Sequence, residues 1–458
     1  MPQYLSPGVY VEEVPSAARP IAGVGTSTAG FIGVVKRAPA ESGSSVADSG
    51  NAPAPPKTTS PKKASTAATV TDTTVVAPLS AADSSGAGAA DTADNVKMPL
   101  KPGKTGKKAD GTTIEPNDFY TVAPKDEPML ITSWEEFKNN FGDIQAGNAK
   151  LAQAVYGFFN NGGTRCWVIG VAAENNLVDP ATALGKFKAI DEIAIVAVPG
   201  ATSKAQQDAL LDHCEGAKDR VAVLDGAQSP ATLSDLGAIK STGGTAARDS
   251  NYGALYFPWI KVLDPVSGQK VSQPPSGHIA GIYARVDATR GVHKAPANEV
   301  IRGALDVERR LSKADQDGLN PSGINAIRAF DGTIKVFGAR TLGGDANTEW
   351  KYISTRRFFN FLRESIDNGT QWVVFEPNTP ALWQSITRNV TAFLTGVWRS
   401  GALFGNTAQE AFYVKCDADT NSRAQRDLGM VVTEVGVSIV RPAEFVIFRL
   451  SQWAGPGA

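Results

Sequence analysis

The sequence predicts an α/β protein, more fully an α+β multidomain chain with mixed sheets flanked by helices. Three observations carry this. Ile193–Val198 and Val221–Leu224 are apolar without alternation, the mark of strands buried on both faces. Between them Ser203–Lys218 has helical period, giving a strand–helix–strand unit of the parallel kind. The 458 residues also exceed one core, and at roughly 100–200 residues per domain they predict about two to four domains.

Elements follow in chain order. Residues 1–20 read as an arm, with Gly8–Val14 a short β-type run stopped at Pro7 and Pro15, which cannot donate to a ladder. Ala29–Val35 reads as a buried strand whose small residues allow close packing, opening a body at residues 21–39. Residues 40–118 hold no Phe, Trp or Tyr but many Pro, Ala, Ser, Thr and Lys. So little apolar surface does not offset the entropy of ordering, and the stretch reads as an exposed, mobile insertion or thin surface subdomain. Globular character returns over 119–349. Asn148–Asn161 is expected as a helix with Leu151, Val155, Phe158 and Phe159 on one face, ended by Gly162-Gly163, with Cys166–Ile169 as the next strand. Residues 226–350 look loop-rich, with strands at Ala254–Phe257 and Ile334–Phe337 and a helix near Glu299–Arg310.

In residues 350–440 the sequence predicts a helix at Thr355–Asp367, ended at Gly369, and a strand at Gln371–Glu376. A long helix opens at Thr379-Pro380, an N-cap followed by Pro at the first helical position, with Leu382, Ile386, Val390, Phe393 and Val397 as its stripe. Ala411–Lys415, Val431–Val440 and Glu444–Ser451 are expected as strands, the last within a terminal segment 441–458.

Composition restricts function. Lys+Arg 45 against Asp+Glu 46 leaves a net charge of −1, which argues against a nucleic-acid surface. The three cysteines, Cys166, Cys214 and Cys416, are too few and too separated for a disulfide framework. No basic n-region or apolar h-region opens the chain and no apolar run approaches the ~20 residues a bilayer span needs, so synthesis in the cytoplasm without a signal peptide is expected, with any release by lysis.

Motifs of chemistry fail on their restrictive positions. Gly23–Gly30 has Thr28 where a dinucleotide fingerprint needs its third Gly, so a close-packed turn is expected. His213, His278 and His293 have no His partner at i+3 or i+4. Asp417–Asn421 imitates a calcium loop, but Ser422 and Leu428 stand where Gly and Glu are required, so a capped turn into Ser422–Asp427 is expected. No metal or cofactor is expected. A rival reading is an α/β enzyme with a site near Pro199–Ser203, at the carboxyl end of a parallel strand. What remains is strand-forming material at both ends. Glu444–Ser451 unpaired at an edge would invite aggregation, so a partner strand must cover it. Val9–Val14 is a candidate, within the chain or between chains.

Several stretches together resemble the contractile tail sheath proteins of phage tails, R-type pyocins and phage-tail-like injection particles. They are Pro7–Pro15 followed by Gly23–Gly33; Ala154–Gly163; Asp287–Asn298; and Ala411–Asp417 with Thr420-Asn421 and Arg441–Arg449. The resemblance implies a structural subunit, not an enzyme, that polymerises into a helical sleeve around an inner tube and contracts to drive that tube through a target envelope. Another tail or baseplate component is the third reading. It implies arms exchanged between neighbouring copies, with Val9, Tyr10, Val11, Val14, Phe445, Val446, Ile447, Phe448 and Leu450 as linking residues and Pro15, Ser16, Arg441 and Pro442 as hinges. It implies as partners further copies of the chain in stacked, hexameric rings, an inner tube protein, and baseplate and terminal cap proteins, with no nucleic acid and no direct membrane insertion. Arg423 and Arg426 are the residues proposed to meet acidic tube residues. Residues 40–118 depart from compact members of the family and suggest a decorated outer surface.

Overall fold

A computed structural model describes residues 20–35, 106–107, 113–114, 123, 126–180, 183–237, 249–265 and 267–449. Val9, Tyr10, Val11, Val14, Pro15, Ser16 and Leu450 therefore lie outside the described residues, as does nearly all of 40–118.

Strand β1 (Ala29–Val34) starts the body, and β2 (Gly106–Lys107) and β3 (Thr113–Ile114) form a separate antiparallel pair. There follow β4 (Met129–Ile131), α1 (Trp134–Phe141), α2 (Ala149–Asn160), β5 (Cys166–Val171), α3 (Ala183–Lys186), β6 (Ile195–Ala197), α4 (Lys204–Ala217), β7 (Val221–Asp225), α5 (Leu233–Gly237) and β8 (Gly253–Phe257). Next come β9 (Ile260–Leu263), β10 (Lys270–Gln273), α6 (Ser276–Arg290), β11 (Glu299–Val300), β12 (Ala304–Val307), α7 (Lys313–Leu319), β13 (Ile324–Phe330) and β14 (Thr333–Val336). The C-terminal lobe holds α8 (Ile353–Thr370), α9 (Pro380–Arg399), α10 (Ala408–Ala411), β15 (Phe412–Lys415), α11 (Arg423–Asp427) and β16 (Glu434–Val437).

The main sheet has nine strands in the order β11-β14-β13-β8-β7-β6-β1-β5-β4. From β13 to β5 all neighbours are parallel, and antiparallel strands close both edges. Successive residues of β1 feed opposite cores. Phe31 packs with Val155, Phe158 and Ile282 on one face, and Ile32 with Phe187, Leu210 and Leu211 on the other. Helices on both faces explain why the strands read as continuous apolar runs. The expected α4 is framed by a Ser203/Gln206 capping box and by Lys218 in the left-handed region, φ 65°.

Three expectations need correction. The helix near Glu299–Arg310 is two short strands, β11 and β12, paired to β14 and β9. The strand at Gln371–Glu376 is instead a 3-10 turn at Gln371–Val373, which continues directly from α8 as that helix runs through Gly369 to Thr370, and residues 371–376 join no ladder. The strand at Glu444–Ser451 is not formed: as far as Arg449, where description ends, it joins no ladder.

The loop-rich reading of 226–350 also missed α6. From Ser276 to Ala284 this helix is buried on every side, so it carries no apolar stripe for periodicity to find. Its Gly277 and Gly281 lie against α2, where a Cβ would come within 2.4 Å of Ala154 and Phe158 backbone atoms. Only glycine permits so close an approach.

The second lobe packs around Phe358, Leu362, Leu382, Ile386, Val390, Leu394 and Val397, joined by Ile21 from the start of the chain. Phe393 of the expected stripe is half-buried, and Leu394 takes its inward place. A buried ion pair ties the lobes. Arg357 of α8 donates to Asp287 of α6 at 2.9 and 2.5 Å and to Thr26 O at 3.0 Å, while Thr26 Oγ1 donates to Asp287 at 2.6 Å.

Candidate assembly site

The C-terminal lobe contains a sheet of only two strands among the described residues, β15 against β16, in register from Phe412↔Val437 to Lys415↔Glu434. Phe412 faces the lobe's core, whereas Tyr413 is 58% exposed. A two-stranded pair is marginal alone, and an open edge presents unpaired N–H and C=O groups. Beside β15 runs a groove of about 570 Å³, lined by Gln384, Arg388 and Thr391 of α9 and by Val414, Lys415 and Cys416.

After β16, Ser438 is pinned by its N–H to Ala411 O at 2.8 Å and by its carbonyl to Phe404 N–H at 2.8 Å. The chain then reaches Glu444 and becomes bare. Phe445, Val446, Ile447 and Phe448 are 70, 69, 78 and 85% exposed. Apolar side chains bunched in this way mark a surface that another molecule covers. In an extended chain Phe445 and Ile447 point one way, Val446 and Phe448 the other.

Glu444 is held differently. Its carboxylate accepts from Arg340 Nε and Nη2, each at 2.8 Å, from Asn320 Nδ2 at 2.8 Å and from Tyr352 OH at 2.9 Å. Burial raises the Glu444 pKa, but these hydrogen bonds outweigh it and hold the carboxyl below its ordinary value. Burial, followed by the bond to Glu444, pushes the Tyr352 phenol up to about 12. Sequence reasoning missed Arg340, Asn320 and Tyr352, since they stand about 90–125 residues before their partner. The remaining sequence-derived residues separate. Arg441 is exposed and Pro442 half-buried. Arg423 and Arg426 lie exposed on α11, which has a Ser422/Gln425 capping box; Arg423 is 3.7 Å from Asp427. The Asp417 turn is as expected, its Oδ1 accepting from Asp419 and Thr420 N–H groups.

At Pro199–Ser203, the rival location, the buried group is Asp225 at the end of β7. It accepts from Gly200 N–H at 3.0 Å, Ser276 N–H at 2.8 Å and Ser276 Oγ at 2.8 Å, stapling that loop to the start of α6. Burial pushes its carboxyl up to about 6 against the pull of those bonds. His213 and His278 are buried, and burial lowers both imidazoles to about 4. Among the described residues no group of three or more His, Cys, Asp or Glu is placed to hold a metal, and no helix is long and apolar enough to cross a membrane.

Comparison with known proteins gives the chain's family and fold. Residues 164–342 match the phage tail sheath protein central domain, and residues 345–452 the phage tail sheath C-terminal domain. A Pseudomonas aeruginosa protein named as a prophage major tail sheath protein is 27% identical over 346 residues, covering 71% of this chain and 86% of that one. The tail sheath protein of Burkholderia phage BcepMu is 29% identical over 159 residues, 33% of each chain. Among solved structures, the helical sheath of the anti-feeding prophage in its contracted state superposes with a TM-score of 0.65 at 26% identity, covering 98% of this chain and 100% of that chain. The contracted sheath complex of the PVC extracellular contractile injection system shares the fold, with a TM-score of 0.66 at 24% identity and 99% coverage of both chains.

Proposed function

The chain belongs to the phage tail sheath family, and from this premise we propose that its exposed C-terminal segment is a strand lent to a second copy. It is a structural subunit of a contractile sheath, polymerising into a helical sleeve around an inner tube and contracting to drive the tube through a target envelope. The observation that carries the strand reading is the exposure of Phe445–Phe448.

The occupant of the groove beside β15 is then an extended segment of a neighbouring subunit. An added strand satisfies edge groups and seats alternate side chains. About five ladder bonds contribute about 0.5–1.5 kcal/mol each, and covering Phe445 and Ile447 adds about 1.5–3 kcal/mol apiece before ordering costs. Residues 9–14 are the proposed second lent strand, departing near Ile21, which packs in the C-terminal lobe. A head-to-tail contact that does not close on itself generates a helix of subunits. Hexameric rings, the inner tube protein, and baseplate and cap proteins are the proposed assembly, made in the cytoplasm as part of a phage tail or tail-like particle. Contraction is a switch between two packings of rigid bodies, with Pro15 and Ser16 as the proposed flexible points of the N-terminal arm and the root of the C-terminal arm, where Arg441 and Pro442 were expected to hinge, as that of the other. The chain itself does no catalysis in this reading.

Arg423 and Arg426 are the proposed tube contact, supported by their exposure on a short, capped helix. Reversing both charges is expected to weaken tube co-assembly; unchanged co-assembly discards the contact. The strand reading is tested by negative-stain microscopy. The intact chain is expected to form hollow striated tubes, and a chain lacking residues 445–458 to stay as folded, unpolymerised subunits. Normal tubes from the truncated chain overturn strand exchange.

A further inference from the structure

We propose that Glu444 is the fixed anchor of the C-terminal arm, a positioning residue that locks the chain into a socket at the seam between the lobes, so that the free strand begins at Phe445. The inference rests on the reading that this segment crosses to a second copy.

The socket is built from residues remote from Glu444 in the chain. Arg340 is almost wholly buried, its side chain 3% exposed. Its backbone is clamped by Asn325, whose Oδ1 accepts from Arg340 N–H at 2.7 Å and whose Nδ2 donates to Arg340 O at 2.8 Å. Arg340 also bridges Tyr352 backbone to backbone, and Ile353, the first residue of α8, donates its N–H to Ala339 O at 3.0 Å. The guanidinium's Nη1 is spent on Asn320 O at 2.8 Å and Asp345 at 3.1 Å. That leaves Nε and Nη2 side by side, a planar fork that matches one carboxylate in one orientation. Glu444 fills it, and Asn320 and Tyr352 each donate to one of its oxygens. Three stretches of chain thus meet at one point: the end of the central lobe, the start of α8 and the root of the arm.

The mechanical consequence follows from where fixity ends. Ser438 and Glu444 are both pinned, so the intervening residues, Arg441 and Pro442 included, form a strap held at each end. One residue on, Phe445 is 70% exposed. A pull along the arm is delivered to the bidentate pair and from there to both lobes, and the direction in which the strand leaves the body is set at Glu444. The pivot moves from Arg441-Pro442 to the Glu444–Phe445 junction.

The test uses the full-length, unassembled subunit. Its three cysteines are buried, so thiol-reactive spin labels attach to introduced cysteines only. A label at Ala443→Cys, paired with one at the exposed Leu263→Cys, is expected to give a narrow distance distribution by pulsed electron resonance, and Ile447→Cys with the same reference a broad one. Glu444→Gln, which keeps the shape and removes the charge, and Glu444→Ala are expected to broaden the Ala443 distribution at least twofold, with Tyr352→Phe giving a smaller change. Both Glu444 variants are expected to form tubes at least tenfold less efficiently, with Glu444→Asp recovering part of the loss. A parent Ala443 label already as broad as that at Ile447, or Glu444 variants with unchanged distributions, overturn the anchor, as do undiminished tubes from those variants when the truncated chain fails to polymerise. Failure of the underlying reading looks different: the truncated chain polymerises normally while the Ala443 label still responds to Glu444.

Discussion

Two of the molecule's sheets, the largest one and that of the C-terminal lobe, meet the edge problem in opposite ways. The nine-stranded sheet is covered within one chain: helices lie on both faces, its edge strands β11 and β4 are only 2 and 3 residues long, and Phe31 and Ile32 of one strand are each wholly buried in different cores. The two-stranded sheet of the C-terminal lobe has a core behind it, a groove beside it and Tyr413 in solvent. Two strands bury too little to stand alone. On the proposed reading, the difference teaches that one lobe folds to completion and the other is left for an added strand to complete. The arm's four exposed apolar residues are the same principle seen from the side of the proposed donor.

The sharpest way to break this contrast is a matched pair of phenylalanine deletions. Phe158→Ala in the central core is expected to lower the stability of the isolated subunit by about 3–5 kcal/mol in urea unfolding. Phe445→Ala, removing the same ring from the bare arm, is expected to change it by less than about 0.5 kcal/mol while lowering tube yield. Equal losses in both variants would mean that the arm folds back onto its own body. Next in size, Arg357→Ala strands Asp287 at the seam and is expected to cost about 3–5 kcal/mol if both lobes unfold together. A split into two calorimetric transitions would instead show lobes of independent stability.

The smallest expected effect is in pH. His213 and His278 titrate near 4 in the fold against an ordinary value of 6.5, so the unfolded chain binds protons that the folded chain refuses. Their contribution is whole above 6.5 and is lost as pH falls towards 4. Asp225, raised to about 6, acts oppositely, since the folded chain holds its proton from about 6 down to the ordinary 3.8. Two imidazoles outweigh one carboxyl, so stability is expected to fall between pH 7 and 5. His278→Leu is expected to shallow the slope by about one proton in guanidinium midpoints measured across that range. An unchanged slope would mean that His278 is not held neutral.

The parts legible in the sequence are those whose physics is local. The Ser203 cap and the Lys218 end of α4, the Thr379-Pro380 start of α9 and the unbroken apolar strands each announce themselves within a few residues. Helix α6 did not, because burial on all sides erases the period that identifies a helix. The segment at Glu299–Arg310 is strand because β14 and β9 were there to pair with, which no window of ten residues records. At the assembly site, the motif Arg441–Arg449 identified the arm, yet not the socket that holds Glu444.

By itself the sequence determined the parallel strands, the capped helices and an apolar terminal run too hydrophobic to stay uncovered, because propensity, capping and periodicity act over a turn or two of chain. Tertiary structure alone decided which strands found partners, that Asp287 and Arg357 would join the lobes, and that Arg340, more than a hundred residues upstream, would grip Glu444. Those outcomes depend on distances between remote residues, which are set only when packing brings their elements together.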